Sequence, residues 1–325
     1  MKIVCILSPY YDYLTASLME GLQELGHEVI ASENSNYAAR SSNGKILKEA
    51  ERADLIVVCS NKGVRTGLVD YMDNPNKVFV DGSDSQAFKV YPYAKFRAVF
   101  KRELNKCWNN KNADPVYPLP FAAEKRYFDH PRRQRDIKAS FAANLNNNTM
   151  RYSIYQRLLN RDDAAIFCGS TGECAYIRSQ SKGWPIKTPK YQDILYRSRI
   201  AVNVVGAGYD CARYWEIPAA GTLLLTQELD ITIPHPFTSG TNCMVFKTPD
   251  EFDEKLDLLL SDPALVETIA AAGHEHLVNY HTTKDRAAYF LAMVAENSGG
   301  NRFCESFYRE KPRFHGLKRV FGFMK

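Results

Sequence analysis

Short apolar runs alternate with amphipathic stretches from the first residues of the chain. Runs rich in Val, Ile and Leu occupy residues 3–7, 28–31 and 55–59, which is typical of buried strands. Leucines at helical spacing predict a helix over 14–25, and a second helix is expected over 46–53. This alternation predicts an α/β fold, with a parallel sheet covered by helices on its faces.

A further strand, over residues 77–80, ends in a polar turn formed by residues 81–84. Ligands bind at the carboxyl edge of open parallel sheets. A basic stretch with prolines at 115, 118, 120 and 131 follows, and it is interpreted as an interdomain connection.

The strand and helix pattern then restarts, which predicts a second α/β domain. With 325 residues the chain is also longer than a single hydrophobic core usually supports. In this second half strands are expected over 138–142, 164–168, 200–205, 223–226 and 243–246, and helices over 150–160, 190–197, 249–260 and 263–280.

Composition is that of an ordinary globular protein, with 45% hydrophobic and 24% charged residues. No apolar run reaches the roughly 18–20 residues needed to span a bilayer, and the N-terminus is interpreted as a first strand rather than a signal peptide. None of the eight cysteines forms a CxxC pair. We therefore expect reduced thiols and a cytoplasmic location.

The net charge of +5 is unevenly distributed along the chain. Residues 89–138 hold 13 Lys or Arg against 5 Asp or Glu, and residues 302–325 hold 7 against 2. Either segment could meet an anionic partner or form a solvated face. The tail over 311–325 interleaves basic and aromatic residues, which predicts peripheral membrane contact or, alternatively, packing against the first domain.

The segment over residues 198–222 carries the clearest chemical pattern. A buried strand opens into a turn with Gly206 and Gly208, and a helix with Arg213 and Glu216 then runs to a stop at Gly221. Glycines allow backbone amides to approach a diphosphate, and an arginine can neutralise its charge. Arg213 and Glu216 share one helix face, so they could grip a nucleotide or, alternatively, pair with each other.

This segment resembles the donor-binding core of the CgeB-like glycosyltransferases, relatives of the retaining GT-B (GT4-related, group 1) enzymes. The matching motifs are Arg213-Tyr214-Trp215-Glu216, Ala219-Ala220-Gly221, Gly273-His274-Glu275-His276, His281-Thr282-Thr283-Lys284-Asp285-Arg286, and upstream Phe100-Lys101-Arg102-Glu103, Tyr117-Pro118-Leu119-Pro120-Phe121 and Ser140-Phe141-Ala142-Ala143-Asn144. The likeness covers residues 78–290 and is strongest after residue 190.

The resemblance implies a GT-B fold, in which two Rossmann-like domains face each other across a cleft. Residues 1–135 would form the acceptor-side domain with its Pro-rich linker, and residues 136–285 the nucleotide-sugar domain. Residues 286–325 would form a C-terminal helix and basic tail that cross back to the first domain.

The sequence departs from the family at one position. The broad retaining group has two glutamates separated by seven residues, and counting back from Glu216 places the first at Gly208. Asp210 lies two residues out of register. By the resemblance Glu216 binds the ribose, and the stereochemical outcome of transfer stays open.

The predicted donor site gathers these segments around a nucleotide-sugar substrate, expected to be UDP- or GDP-linked. No DxD pair follows a strand in the donor domain, so no metal is expected. No cofactor is expected beside the nucleotide-sugar, which is a substrate. A helix cap with a solvated Arg151 is the alternative for the loop over 144–148. The predicted donor-binding residues are Asn144, Asn146, Arg151, Gly206, Gly208, Asp210, Arg213, Glu216 and Gly221.

A general base, if the reaction inverts the anomeric centre, would project from the first domain. Asp81 and Asp84 are candidates by position, with Asp12 behind them, although the same residue types form plain turns. The late histidines, His274, His276 and His281, are interpreted as packing residues because no cysteine or carboxylate stands at ligand spacing.

Together these features predict transfer of a sugar from a nucleotide-sugar to a surface polysaccharide, a glycolipid or another acceptor. Three alternatives stay open: a glycosyltransferase acting on modified DNA bases, a nucleotide-sugar epimerase, and a non-catalytic sugar-binding or structural protein.

Overall fold

The computed structural model describes residues 1–8, 12–32, 43–60, 69, 72–88, 95–108, 115–128, 133–145, 148–166 and 188–296. Two parallel sheets organise these residues, and every strand pairing within them is parallel. The first sheet has the strand order β2-β1-β3-β4-β5-β6 and the second β11-β10-β9-β7-β8. The structure therefore has the predicted α/β architecture.

The N-terminal sheet is covered on both faces because alternate residues of each strand point to opposite sides. Helix α1 (Tyr13–Glu24) packs on the face that carries Ile3 and Cys5. Helix α2 (Asn43–Glu51) packs on the face that carries Val4 and Ile6. The strands are β1 (Lys2–Ile6), β2 (Glu28–Ala31), β3 (Leu55–Ser60), β4 (Lys77–Asp81), β5 (Ala98–Lys101) and β6 (Val116–Pro118).

The second sheet and its helices follow the predicted order closely. Its strands are β7 (Ile137–Phe141), β8 (Ala164–Ile166), β9 (Ser198–Asn203), β10 (Leu223–Gln227) and β11 (Met244–Phe246). Its helices are α3 (Thr149–Leu159), α4 (Thr188–Arg197), α5 (Ala212–Ala219), α6 (Pro249–Ser261) and α7 (Pro263–Tyr280).

Strands β5 and β6 were not predicted, and the interpretation of this stretch as a connection was wrong for them. Val116 to Pro118 pair with Val99 to Lys101 at the sheet edge. An edge strand tolerates proline because one side needs no hydrogen-bond donors. The short length and the prolines removed the periodicity from which a strand is predicted.

A last helix, α8 (Thr283–Glu296), follows the second domain and packs against α1 of the first. The contact is close: a Cβ added at Gly21 of α1 would lie 2.0 Å from the Thr283 carbonyl oxygen and 2.9 Å from the Ala287 Cβ. The chain thus returns to the N-terminal domain after completing the second sheet.

Two further structural facts concern membrane-spanning helices and cysteines. No helix in the described ranges is long and apolar enough to cross a membrane. Of the described cysteines, Cys5, Cys59, Cys107, Cys211 and Cys243 are free thiols. Cys168 and the basic tail lie outside the described residues.

Replacing Gly21 by alanine tests the α1–α8 contact. The added methyl has no room, so Gly21→Ala is expected to destabilise the protein by about 1–3 kcal/mol, measured by urea unfolding. Gly44→Ala in α2 is the matched control, because nothing lies within 4 Å of its added Cβ. The control is expected to be neutral or slightly stabilising. Equal effects of the two substitutions would contradict the close contact.

Candidate functional site

The carboxyl ends of the two sheets face each other, and loops from both domains meet between them. Leu104 and Asn105, after β5, contact the loop after β10: the Thr232 amide donates to the Leu104 carbonyl at 2.6 Å, and the Asn105 side chain donates to the Asp230 carboxylate at 2.8 Å. Ligands bind at this edge in open parallel sheets. The candidate site therefore lies between the domains.

The loop after β9 forms a tight turn over residues 206–210, called here the glycine turn. The Gly206 amide donates to the Gly208 carbonyl at 2.9 Å. A Cβ at Gly206 would lie 2.7 Å from Nη2 of Arg151, so a side chain at 206 would collide with that guanidinium. Helix α5 begins directly after the turn, at Ala212.

Two arginines converge on the Val204 carbonyl oxygen beside this turn. Arg151 donates to it from Nε at 3.2 Å and from Nη2 at 3.1 Å, and Arg213 donates from Nη2 at 3.2 Å. The Nε of Arg213 is buried without a hydrogen-bond partner among the described residues. The site thus concentrates positive charge next to backbone amides, as an anion site requires.

The loop after β7 contributes to the same region. Arg151 donates from Nη1 to the Asn144 carbonyl at 2.8 Å, and it is buried, so the alternative of a solvated Arg151 is wrong. Asn148 is the N-cap of α3, accepting the Met150 amide at 2.8 Å. Asn146 lies outside the described residues. Asn144, Arg151, Gly206 and Arg213 are therefore brought together, and their role in donor binding stays a prediction.

Glu216 is buried between two tyrosines at the domain interface. Its carboxylate accepts from the Tyr191 hydroxyl at 2.9 Å and from the Tyr127 hydroxyl. Burial raises the pKa of Glu216, while these hydrogen bonds and the charge of Arg213 oppose the shift. Arg213 and Glu216 have different partners, so the alternative in which they pair with each other is not the arrangement adopted.

Asp210 serves the interface rather than an open binding surface. It is 4% exposed, and its two oxygens accept from the Phe121 amide at 2.6 Å and from the Trp215 indole at 2.7 Å. Burial raises its pKa to about 6, against the charge of Arg102, which lowers it. Both oxygens have protein donors, as the carboxylate of Glu216 also does, and the role of Asp210 in donor binding stays a prediction.

Gly221 lies at the wrong edge of the sheet for donor binding. It precedes β10, whereas the glycine turn follows β9, so the length of a strand separates them. Its φ of 66° lets it end helix α5. Arg135 donates to the Ala220 carbonyl at 2.9 Å at this helix end. The prediction of a donor contact at Gly221 is therefore wrong, while the predicted helix stop is confirmed.

The three candidate bases differ in their surroundings. Asp81 is buried in an ion pair with buried Lys101, at 3.0 Å. The prediction of Asp81 as a base is therefore corrected, because its carboxylate has a structural role in this ion pair. Asp12 caps α1 and accepts from the Thr15 hydroxyl at 2.6 Å, and burial raises its pKa. Asp84 pairs with Arg102 and is the exposed member of the three.

Glu103 is the functional candidate that sequence reasoning did not single out. It is fully buried, and its carboxylate accepts the Tyr209 amide at 2.9 Å and the Asp210 amide at 3.1 Å. The motif Phe100-Lys101-Arg102-Glu103 was the available signal, but its spacing gave no indication that it meets the second domain.

The late histidines are packing residues, as predicted. His281 is buried and stacks on Phe237 at 5.4 Å between ring centroids. Its Nε2 donates to the His235 carbonyl and its Nδ1 accepts from Arg286. Burial, aided by the charge of Arg286, lowers its pKa to about 2. Among the described residues, no group of three or more His, Cys, Asp or Glu is arranged to hold a metal ion.

Much of the positive charge between residues 89 and 138 is used within the protein. Lys101 and Arg102 are buried in ion pairs, Arg126 pairs with Glu124 and Arg133 with Asp193. The part of this segment that the structure describes is therefore less cationic at its surface than the sequence suggests.

Comparisons with known proteins identify a family match and shared folds. Residues 151–292 match the family described as "Glycosyl transferase-like", a range that contains Arg151, Arg213 and Glu216. The second half of the chain thus carries a glycosyltransferase-like domain. A search of curated proteins finds no match to the sequence.

Solved structures, several of them of glycosyltransferases, share the fold of nearly the whole chain. A glycosyltransferase from Rickettsia africae is 11% identical, with a TM-score of 0.61 over 92% of this chain and 99% of that one. Anabaena Alr3699/HepE in complex with UDP-glucose is 7% identical, with a TM-score of 0.64 over 91% and 100%. An α-glucosyltransferase in complex with UDP and a DNA 13-mer containing an HMU base is 11% identical, with a TM-score of 0.61 over 91% and 99%.

These findings define the class of the protein. The fold is GT-B, and the family match and the structural neighbours together support a GT-B glycosyltransferase. The CgeB-like subgroup stays a prediction.

The buried Asp210 predicts a specific pH dependence of stability. Its pKa in the folded protein, about 6, is above the ordinary 3.8, so its contribution to stability is greatest below about pH 4 and is lost as the pH rises through 6. Relative to wild type, Asp210→Asn is expected to gain up to about 3 kcal/mol between pH 4 and pH 7, measured by urea unfolding.

The control for this titration is Asp73→Asn, which removes an exposed carboxyl shortly before β4. Its stability difference from wild type, measured over the same pH range, is the reference for the effect of removing a surface carboxyl. A pH-independent difference for Asp210→Asn would show that the Asp210 carboxyl does not titrate near pH 6.

Proposed function

We propose that this protein transfers a sugar from a nucleotide-sugar donor to an acceptor held by the N-terminal domain, without a metal ion. The observation that carries the proposal is the convergence of Arg151 and Arg213 on the Val204 carbonyl, beside the glycine turn. Cleaving a glycosidic bond to a diphosphate leaves negative charge on the leaving group, which fixed cationic groups and amides can stabilise.

Each donor-side residue has a proposed task. Arg213, whose Nε has no partner among the described residues, and Arg151 would bind the diphosphate through charge-assisted hydrogen bonds. Glu216 would accept the ribose hydroxyls in place of a tyrosine hydroxyl, because a carboxylate offers several acceptor positions. UDP- or GDP-sugars are the proposed donors; of the structural neighbours described above, one is in complex with UDP and one with UDP-glucose.

The acceptor side is proposed to be the carboxyl edge of the N-terminal sheet. Asp84 is the exposed carboxylate there, and it is the proposed base if the reaction inverts the anomeric centre. A surface polysaccharide or glycolipid is the proposed acceptor. Closure of the two domains over the donor would exclude water from the activated sugar.

Donor binding is tested by thermal shift with UDP-, GDP-, TDP- and CMP-sugars. At least one donor is expected to stabilise the wild type, because a ligand that binds the folded state raises its melting temperature. Arg213→Gln and Glu216→Ala are each expected to lower the affinity for that donor about 10- to 100-fold, because each substitution removes a charged hydrogen bond. Calorimetric titration supplies the dissociation constants.

The matched control is Arg52→Gln, an exposed arginine remote from the site, which is expected to bind the donor like wild type. If no nucleotide-sugar stabilises the wild type, or both site variants bind as tightly as it does, the donor site is assigned wrongly.

Product analysis distinguishes a transferase from two alternatives, an epimerase and a non-catalytic protein. With donor alone, a transferase leaves the sugar isomer unchanged, whereas a 2-epimerase converts it. A non-catalytic sugar-binding protein would bind nucleotide but turn over no donor with any acceptor.

A modified DNA base is the second candidate acceptor. The observation in its favour is the structural likeness to the α-glucosyltransferase solved with DNA. Retention on DNA that weakens steeply with salt would support it. If the protein does not bind DNA at low salt, the glycan or glycolipid remains the proposed acceptor.

A further inference from the structure

Glu103 crosses from the N-terminal domain to the turn on which the proposed donor site is built. It follows β5, and its carboxylate accepts the amides of Tyr209 and Asp210 at 2.9 and 3.1 Å. Arg102 lies beside it, with Nη2 at 3.2 Å from Oε1. Two successive amides and a guanidinium therefore surround one buried anionic group.

The glycine turn is shaped to admit this carboxylate. A Cβ at Gly208 would lie 2.4 Å from Oε1 of Glu103 and 2.9 Å from its Cδ. Any larger residue at 208 would displace Glu103, so the glycine and the glutamate require each other. Gly208 is also the position at which the paired-glutamate pattern expects its first carboxylate. Here a carboxylate reaches that position from the other domain.

Successive amides in a turn form a cradle for anions, and two anions cannot occupy the same pair of amides. A carboxylate and a phosphate both present oxygen acceptors of similar geometry to N–H donors. Glu103 and the diphosphate of a nucleotide would therefore compete for the Tyr209 and Asp210 amides.

We propose that Glu103 is an internal competitor of the donor diphosphate, and that donor binding displaces its carboxylate from the glycine turn. This inference rests on the proposed function. The inference adds to that function because the affinity for the donor would depend on a contact between the two domains.

The competition would couple the nucleotide to the domain interface. Glu103 is next in sequence to Leu104 and Asn105, which bind the loop after β10. Displacement of Glu103 would therefore remove one contact across this interface and leave the neighbouring contacts of Leu104 and Asn105 in place. A ligand that binds the displaced form shifts the population toward it, and its apparent affinity is reduced by the fraction that is competent to bind.

The experiment measures the dissociation constants of UDP and GDP by calorimetry for wild type and two variants. Glu103→Gln keeps the shape but presents an N–H₂ group to one amide, and Glu103→Asp is too short to span both. Each is expected to bind the diphosphate about 10-fold more tightly than wild type, even where its melting temperature is lower. A residue that merely stabilises the fold would not raise affinity.

Two controls isolate the competition. Uridine and guanosine lack the diphosphate, so their affinity is expected to be the same in all variants. Asn105→Ala loses a hydrogen bond of the same interface, from Asn105 to Asp230, but leaves the amides occupied by Glu103. It is expected to bind UDP and GDP like wild type.

The possible outcomes distinguish failure of the Glu103 competition from failure of the proposed function. If wild type binds UDP or GDP and both Glu103 variants bind it equally or more weakly, the competition is refuted and the donor site stands. A similar gain in Asn105→Ala would also refute it, because general loosening of the interface would then explain the effect. If neither nucleotide binds to any folded variant, the proposed function fails as well.

Discussion

The buried carboxylate of Asp210 is the contact on which the alignment of the two domains depends. It accepts hydrogen bonds from the Phe121 amide of the N-terminal segment and from the Trp215 indole of α5. The charge of Arg102 favours the ionised form of Asp210, and the charge of Asp210 in turn favours the protonated form of Arg286. Removing a carboxylate from water is costly unless donors replace the solvent. These partners must therefore keep their geometry, and with them the glycine turn keeps its position.

The chemistry of the site follows from that position. Because the carboxyl edges of two parallel sheets face each other, the loop after β9 meets the loop after β5 and not solvent alone. Arg151 and Arg213 are oriented by one backbone carbonyl, that of Val204, so their charges are fixed before any ligand arrives. Under the proposed function, this preorganised charge would stabilise the leaving diphosphate.

Local patterns predicted the elements well, but not the contacts between them. The leucines of α1 and the apolar run of β9 have enough periodicity to be recognised alone, whereas β5 and β6 are short, and β6 carries proline at an edge. Gly221 was predicted in the donor site because Ala219-Ala220-Gly221 belongs to the motif of the resemblance. Helix α5 runs from the glycine turn to the opposite edge of the sheet, so two residues of one continuous motif do not have to share a site.

The sequence by itself determined the α/β class, the glycine turn and the helix that carries Arg213 and Glu216, because strand and helix periods and turn glycines are properties of neighbouring residues. Tertiary structure alone decided which carboxylates are available. Asp81 is taken by Lys101 and Asp210 by Phe121 and Trp215. Burial and pairing depend on residues distant along the chain, which local spacing cannot specify, and the approach of Glu103 to Gly208 arises only when two separate domains meet.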